Sequence, residues 1–215
     1  MDKIFNKSFK ASNAILGTFI LAIGFLNLSL GWIPILAPYS LVITGLIAFI
    51  ITFGTESIKM LFNRPKKLIK TFFIFLPLAV MASFFSAIVL QVVLKLDLAA
   101  NPAANNVPWL ELPFMLLGEE LISFFVFAIV ASLLKNHNKK LLIATISSAI
   151  VFALLHVPTY WNGSILLSVL HVLCLQGVAR LIFNSAAVKS NSIIAPWVIH
   201  VLFDSITFGI VILLT

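Results

Sequence analysis

Two adjacent glutamates, Glu119 and Glu120, lie in the middle of a long apolar stretch of the chain. A carboxylate at the centre of a spanning helix costs about 2.5 to 3.5 kcal/mol on insertion scales, and neighbouring carboxylates also repel each other. Later apolar stretches carry His156, His200 and Asp204. Titratable groups inside a membrane usually face the bundle interior or a water-filled cavity, so these five residues are candidates for a catalytic site.

The spacing of these residues suits chemistry on a water molecule. His200 and Asp204 are four residues apart and share a helix face, so Asp204 can accept from one ring nitrogen and fix the tautomer of His200. Burial and a second carboxylate raise the pKa of a carboxylic acid, which brings Glu119 towards the range of a general base. A histidine held in this way can donate to a developing oxyanion. The set suits hydrolysis of an amide within the membrane.

The two glutamates are expected to play different parts. Glu120 points about a quarter-turn away from Glu119 on a helix, so one can face a cavity while the other bonds to a neighbouring helix. Glu119 is the expected base, and we expect substitution of Glu120 to reduce activity less.

The same residue types can also hold a metal ion. Glu119, His156 and His200 match a zinc ligand set of two histidines and a carboxylate. The H-E-x-x-H helix that many zinc proteases use is absent from the sequence. The residues therefore leave two possibilities open, a site without a cofactor and a site with a divalent metal such as zinc.

The composition identifies the setting of this chemistry. The chain is 61% hydrophobic and 10% charged, with a mean hydropathy of +1.15. A soluble domain of 215 residues has too little interior to bury that much apolar surface. No repeat or linker-like segment divides the sequence, which predicts a single transmembrane domain over residues 1–215.

Apolar runs predict an all-α polytopic protein with about seven transmembrane helices around an intramembrane polar site. The seven runs cover approximately residues 12–31, 35–54, 69–93, 109–134, 141–158, 164–184 and 193–214. With these boundaries, His156 lies near the outer end of the fifth helix and His200 nearer the inner end of the seventh.

The basic residues predict the orientation of the helices and the partners of the chain. All basic residues except Lys95 fall on one side of the predicted membrane, which places the N-terminus in the cytoplasm and the C-terminus outside. Because these residues form short clusters between apolar runs, the net charge of +7 indicates membrane loops and no nucleic-acid partner. The expected partners are the lipid bilayer and a peptide or protein substrate. The cytoplasmic set consists of Lys3, Lys7, Lys10, Lys59, Arg64, Lys66, Lys67, Lys70, Lys135, Lys139, Lys140, Arg180 and Lys189.

The polar clusters resemble the motifs of the CPBP family of intramembrane proteases, which includes type II CAAX prenyl endopeptidases and bacteriocin-immunity proteins of the Abi group. The family motifs are E-E-x-x-x-R, F-x-x-x-H and H-x-x-x-N or H-x-x-x-D. Their order and separation agree with this sequence, and the resemblance covers about residues 109–214. The corresponding segments are Glu119-Glu120-Leu-Ile-Ser-Phe124, Phe152-Ala-Leu-Leu-His156 and His200-Val-Leu-Phe-Asp204.

The resemblance implies an intramembrane endopeptidase that uses a glutamate. It implies that Glu119 and His156 activate the water and that His200 and Asp204 stabilise the oxyanion. Because the family was long described as metalloproteases, the resemblance also leaves the question of a metal open.

One position departs from the family motif. Phe124 occupies the place of the motif arginine, which could pair with a carboxylate and orient it. No nearby basic residue replaces that arginine in the sequence. The glutamates are therefore expected to be held by a hydrogen bond from Ser123 or from a neighbouring helix.

Two other functions fit the same residues. A catalytically weak family member could act as a bacteriocin-immunity or binding protein, and such a protein should tolerate Glu119→Ala. A small proton-coupled transporter could use the glutamates and histidines as a proton relay, although the sequence lacks the repeats that many transporters show.

Overall fold

A computed structural model describes residues 1–99 and 101–214, and within these residues the chain is helical with no β-strand. The predicted all-α class is confirmed. A π-helical turn at Val89–Val93 extends α5, a second at Leu173–Gly177 joins α8 to α9, and a 3₁₀ turn covers Pro102–Asn105. The α-helices are α1 (Asp2–Phe5), α2 (Ala11–Leu30), α3 (Ala37–Phe53), α4 (Glu56–Leu61), α5 (Leu68–Ile88), α6 (Leu112–Leu133), α7 (Lys140–Leu155), α8 (Ile165–Val172), α9 (Val178–Ser190) and α10 (Ile194–Leu214).

Each of the seven predicted apolar runs contains a long helix, but the count of seven spans is not confirmed. The helices α3 and α7 are apolar but have only 17 and 16 residues. At 1.5 Å per residue they reach about 26 Å, which is less than the roughly 30 Å of a hydrocarbon core. Within the described residues, five helical segments have the length and composition to cross a membrane, as expected for a multi-pass integral membrane protein. These segments are Ala11–Leu30, Leu68–Val93, Leu112–Leu133, Ile165–Ser190 and Ile194–Leu213.

Two helix ends differ from the predicted boundaries in a way that affects the site. The run predicted over 141–158 stops being helical at Leu155, so His156 caps the helix instead of lying within it. The run predicted to end at 184 continues to Ser190. Arg180 therefore lies well inside a spanning segment and not at its cytoplasmic end.

The helix that carries the two glutamates, α6, packs against α3, α7 and α10. Its contact with α3 is close because glycines face the partner helix, as is common between membrane helices. A Cβ atom at Gly118 would lie 2.4 Å from Cβ of Leu41, and one at Gly45 would lie 2.8 Å from Cβ of Leu121. Gly118 directly precedes Glu119, so this contact fixes the position of the glutamates relative to α3.

Phe124 lies in an aromatic part of the core and not in the polar site. Its side chain is 1% exposed, and its ring stacks on Phe127 at 4.9 Å between centroids. Phe5 of α1 packs against both rings, at 6.0 Å from Phe124 and 5.2 Å from Phe127. Position 124 therefore contributes apolar packing to this protein.

The π turn between α8 and α9 decides which way the second half of this long helix faces. A π turn accommodates one extra residue, which changes the facing of all later residues by about 100° relative to an uninterrupted α-helix. Gly177 ends the turn and lies against α7, where its Cβ position is 3.5 Å from Cβ of Ala153. Arg180 follows three residues later and points into the bundle, where it is fully buried.

Candidate active site

Glu120 forms a buried ion pair with Arg180 across the interface of α6 and α9. Nη1 of Arg180 donates to Oε1 of Glu120 at 2.7 Å, and the side chains are 0% and 2% exposed, respectively. A buried charge in a membrane protein is tolerated when it is paired in this way. The statement that no basic residue replaces the motif arginine was wrong, because Arg180 approaches Glu120 from another helix.

His200 of α10 contacts the same glutamate with one ring nitrogen. Nδ1 of His200 lies 2.8 Å from Oε1 of Glu120. Because an ionised carboxylate only accepts hydrogen bonds, Nδ1 carries the proton in this contact. Nη2 of Arg180 is also 3.5 Å from Nδ1, but a guanidinium only donates, so Glu120 is the hydrogen-bond partner.

The other nitrogen of His200 faces two carboxylates that do not reach it directly. Nε2 lies 3.9 Å from Oε2 of Glu119 and 3.8 Å from Oδ2 of Asp204. Both distances exceed hydrogen-bond range, and a water molecule can bridge groups at this separation. The expectation that Asp204 fixes the tautomer of His200 was therefore wrong, since Glu120 makes that hydrogen bond.

The side chains of the two glutamates differ in their exposure to solvent. The side chain of Glu119 is 21% exposed and that of Asp204 is 19% exposed, whereas Glu120 is almost fully buried. Glu119 and Asp204 can thus be reached by water, while Glu120 is enclosed between Arg180 and His200. The adjacent glutamates have different surroundings because they leave the helix about 100° apart.

His156 stands apart from the group formed by Glu119, His200 and Asp204. Nδ1 of His156 lies 2.9 Å from the carbonyl oxygen of Phe152, which can only accept, so Nδ1 is the protonated nitrogen. This leaves Nε2 of the neutral ring as an acceptor. Within the described residues, His156 makes no ion pair with Glu119 or Asp204, and it caps the C-terminal end of α7.

The turn after His156 brings a tyrosine to the same region. Tyr160 is 6% exposed, and its ring lies 6.5 Å from that of His156. Burial raises the pKa of Tyr160, and the carboxylates of Asp204 and Glu119 raise it further. The phenol therefore stays protonated and is a hydrogen-bond donor near both carboxylates.

A metal ion does not fit the predicted ligand set. Among residues 1–99 and 101–214, no three His, Cys, Asp or Glu side chains are grouped so that they could hold a metal. Glu119 and His200 approach each other, but His156 is held against Phe152. The predicted set of Glu119, His156 and His200 is not brought together as a metal site.

Ser123 does not hold the glutamates; of the two expected sources, neighbouring helices supply the partners of Glu120, which are Arg180 and His200. Its hydroxyl is 2.8 Å from Oγ of Ser148 on α7 and donates weakly to Oδ1 of Asn184 on α9 at 3.4 Å. Ser148 in turn donates to the carbonyl of Ser123 at 2.7 Å. This buried polar group joins α6, α7 and α9 one turn away from the ion pair of Glu120 and Arg180, and it stabilises the helices that carry the site.

The sequence analysis placed Arg180 at the cytoplasmic end of the sixth apolar run, although the residues around it indicate a position further inside the helix. The residues that follow it, Leu181, Ile182 and Phe183, continue the apolar run, and Ala186 and Ala187 extend the helix further. An arginine followed by two more apolar turns lies inside a helix and needs a partner there.

A tryptophan anchors α10 beside α6. Nε1 of Trp197 donates to the carbonyl oxygen of Pro113 at 2.7 Å. Trp197 precedes His200 by three residues, and Pro113 precedes Glu119 by six. This hydrogen bond therefore links the first turns of α10 and α6, the two helices that carry the imidazole and the carboxylates. On the other side of His200, its ring packs on Phe183 at 4.7 Å.

Comparison with known proteins gives one match. The family model "Type II CAAX prenyl endopeptidase Rce1-like" matches residues 108–206, a little less than half of the chain. The comparison with curated proteins gave no match, and neither did the comparison with solved structures. The matched range contains the three motifs, Arg180 and every side chain of the polar group described above. The region that carries this candidate active site is therefore similar to the Rce1-like type II CAAX prenyl endopeptidases of the CPBP family, which agrees with the resemblance found in the motifs.

Proposed function

We propose that this protein is an intramembrane endopeptidase that hydrolyses a peptide bond with a water molecule activated by Glu119. The family suggests a CAAX-type intramembrane protease. The observation that carries the mechanism is the position of Nε2 of His200, which is 3.9 Å from Glu119 and 3.8 Å from Asp204. A base, a hydrogen-bond donor and space for a water meet at this point.

Glu119 is the general base. A water between Oε2 of Glu119 and Nε2 of His200 can lie within about 2.8 Å of both atoms. Glu119 removes a proton as the water oxygen attacks the carbonyl carbon of the substrate. Glu120 cannot take this role because its carboxylate is buried against Arg180 and His200.

His200 stabilises the oxyanion that this attack creates. With protons on both nitrogens, the ring donates from Nδ1 to Glu120 and from Nε2 to the oxyanion. Asp204 supports the charge of the ring beside Nε2. Glu119 then passes its proton to the amide nitrogen, the carbon–nitrogen bond breaks, and the products are a carboxylate and an amine.

His156 has a secondary part in this mechanism. The family motif places it with Glu119 at the water, and its Nε2 is an acceptor when Nδ1 bonds to the carbonyl of Phe152. Because it makes no ion pair with Glu119 in the described structure, we expect His156→Gln to reduce activity less than Glu119→Gln.

The substrate class follows from the family. A CAAX prenyl endopeptidase acts on a peptide that carries an isoprenoid-modified cysteine near its C-terminus, and the lipid would bring such a peptide to a site between membrane helices. The chain exposes many apolar side chains along α5, including Phe73, Met81 and Phe84, as a bilayer requires. The partners of this function are a lipid-modified peptide or protein and the bilayer.

Purified protein in lipid nanodiscs tests the proposal with a fluorogenic peptide that ends in a farnesylated CAAX sequence. We expect cleavage by the native protein and a loss of about 100-fold or more in Glu119→Gln, since Gln keeps the shape and removes the base. Glu56→Gln is the matched control, because Glu56 is an exposed glutamate paired with Lys59 on α4.

The rival functions give different results in this assay. A binding or immunity protein leaves the peptide intact and tolerates Glu119→Gln in a binding assay. A proton-coupled transporter leaves the peptide intact and acidifies the lumen of proteoliposomes in a Glu119-dependent way. Either result, or full cleavage by Glu119→Gln, overturns the proposed hydrolysis.

A further inference from the structure

Arg180 contacts one residue from each of the three motifs. Its Nη1 donates to Glu120 of the first motif at 2.7 Å, and Cζ lies 3.9 Å from the ring centroid of Phe152 of the second. Its Nη2 is 3.5 Å from Nδ1 of His200 of the third. Arg180 lies on α9, outside all three motifs, and is fully buried.

We propose that Arg180 is a positioning residue that holds Glu120 as a carboxylate and, through it, fixes the ring of His200. A carboxylate at Glu120 requires His200 to donate from Nδ1, which points Nε2 towards Glu119 and Asp204. This proposal rests on the proposed function. It assigns to a residue of α9 the cation that the first motif lacks, since Phe124 occupies the position of the motif arginine.

The surroundings of Arg180 favour a fixed orientation of its side chain. The guanidinium lies between the rings of Phe152 at 3.9 Å and Phe183 at 5.3 Å, and an arginine stacks on aromatic faces in this way. Phe183 also packs against the ring of His200. Both phenylalanines thus contact the guanidinium of Arg180, and Phe183 also contacts the imidazole of His200.

The π turn before α9 contributes to the position of Arg180. Since a π turn changes the facing of later residues by about 100°, the turn at Leu173–Gly177 contributes to the direction in which Arg180 faces. A change that restores an ordinary α-helix there would move the guanidinium away from the glutamate. The position of the Arg180 guanidinium therefore depends on a backbone feature that lies outside the three motifs.

Nuclear magnetic resonance of ring-labelled histidine tests the proposal without any substrate. With the native protein in nanodiscs, we expect the Nδ1 signal of His200, assigned by its loss in His200→Gln, to have the shift of a protonated nitrogen. In Arg180→Gln, we expect that signal to move, because Glu120 has lost its cation. A bare Nδ1 in the native protein overturns the proposal, and that measurement does not require Arg180→Gln to fold.

Kinetics with the farnesylated CAAX peptide provide the second readout. We expect Arg180→Gln to lower kcat by about 100-fold with little change in KM, because a misplaced donor affects the transition state more than binding. Arg180→Lys should recover part of kcat by restoring the charge. Arg64→Gln is the matched control, since Arg64 is the other arginine of the chain and is exposed.

The two readouts separate this proposal from the proposed function. If the native protein does not cleave the peptide, the proposed hydrolysis fails, and the ring-nitrogen signal still decides the position of His200. If Arg180→Gln is folded, keeps the native His200 signal and keeps the native kcat, Arg180 does not position the site. A shifted His200 signal together with a reduced kcat supports the proposal.

Discussion

His200 donates from Nδ1 to Glu120 at 2.8 Å, so the glutamate that is closed to water determines the orientation of the ring. The adjacent glutamate, Glu119, is reached by water and stands on the other side of the same ring, 3.9 Å from Nε2. One buried carboxylate and one accessible carboxylate thus share a histidine. This relationship, rather than the simple presence of two glutamates, gives them separate roles.

Glu120→Gln should destabilise the protein, an effect that is separate from the smaller loss of activity expected from the sequence. Removing this carboxylate leaves the guanidinium of Arg180 buried without its counter-charge, which costs about 3 to 5 kcal/mol. Thermal unfolding in detergent checks this, with exposed Glu56→Gln as the control. The double variant Glu120→Gln with Arg180→Gln should be more stable than the sum of the single changes predicts, since neither partner is then left charged alone. Additive effects would show that the pair does not couple.

Phe124→Arg should lower stability and should not tune the glutamates. The side chain is 1% exposed among the rings of Phe5 and Phe127, so a cation there would be buried without a partner at a cost of about 3 kcal/mol or more. Phe124→Leu keeps an apolar side chain and is the control. Yield and unfolding temperature are the measurements, and a well-folded, fully active Phe124→Arg would mean that position 124 reaches the polar site.

Gly118→Ala should move the glutamate helix away from α3. The added Cβ would lie 2.4 Å from Cβ of Leu41, so the backbones must separate, and overpacking of this kind costs about 1 to 3 kcal/mol. Because Gly118 adjoins Glu119, peptidase activity should fall as well. Gly209→Ala is the control, since a Cβ there meets nothing within 4 Å. Equal behaviour of the two variants would argue against the close contact.

Peptide cleavage should persist after dialysis against a strong chelator. This expectation rests on the positions of the donor groups, because the predicted ligands Glu119, His156 and His200 do not converge in the described structure. The measurement is peptidase activity before dialysis, after dialysis, and after zinc is added to the dialysed protein. Activity that disappears with chelation and returns with zinc would require His156 to move towards Glu119 in the working protein.

A cytoplasmic N-terminus and an external C-terminus remain the predicted orientation. Arg180 no longer counts towards a cytoplasmic loop, but Lys95 is still the single basic residue on the other side. The C-terminal residue, Thr215, lies outside the described residues. A phosphatase fused after it should be active and a fluorescent protein should not, and the opposite result would favour an even number of spans.

The sequence by itself determined the chemistry-bearing residues and their general setting. Apolar runs set the all-helical class because a helix satisfies every backbone hydrogen bond of a segment in lipid. Carboxylates and imidazoles within those runs stand out because burying them is costly, so Glu119, Glu120, His200 and Asp204 were recognisable from composition and spacing alone. The i, i+4 relationship of His200 and Asp204 follows from helix geometry, and both side chains lie on the side that faces Glu119.

Only the tertiary structure decided which partners these groups have. Arg180 is 60 positions from Glu120 in the chain, and its side chain meets the glutamate across the interface of α6 and α9, after a π turn at Leu173–Gly177. The structure likewise shows that His156 caps α7 and bonds to the carbonyl oxygen of Phe152. Hydrophobicity fixes where a segment lies in the bilayer, but contacts across helices depend on helix ends, facing and close approach, and no single segment contains that information.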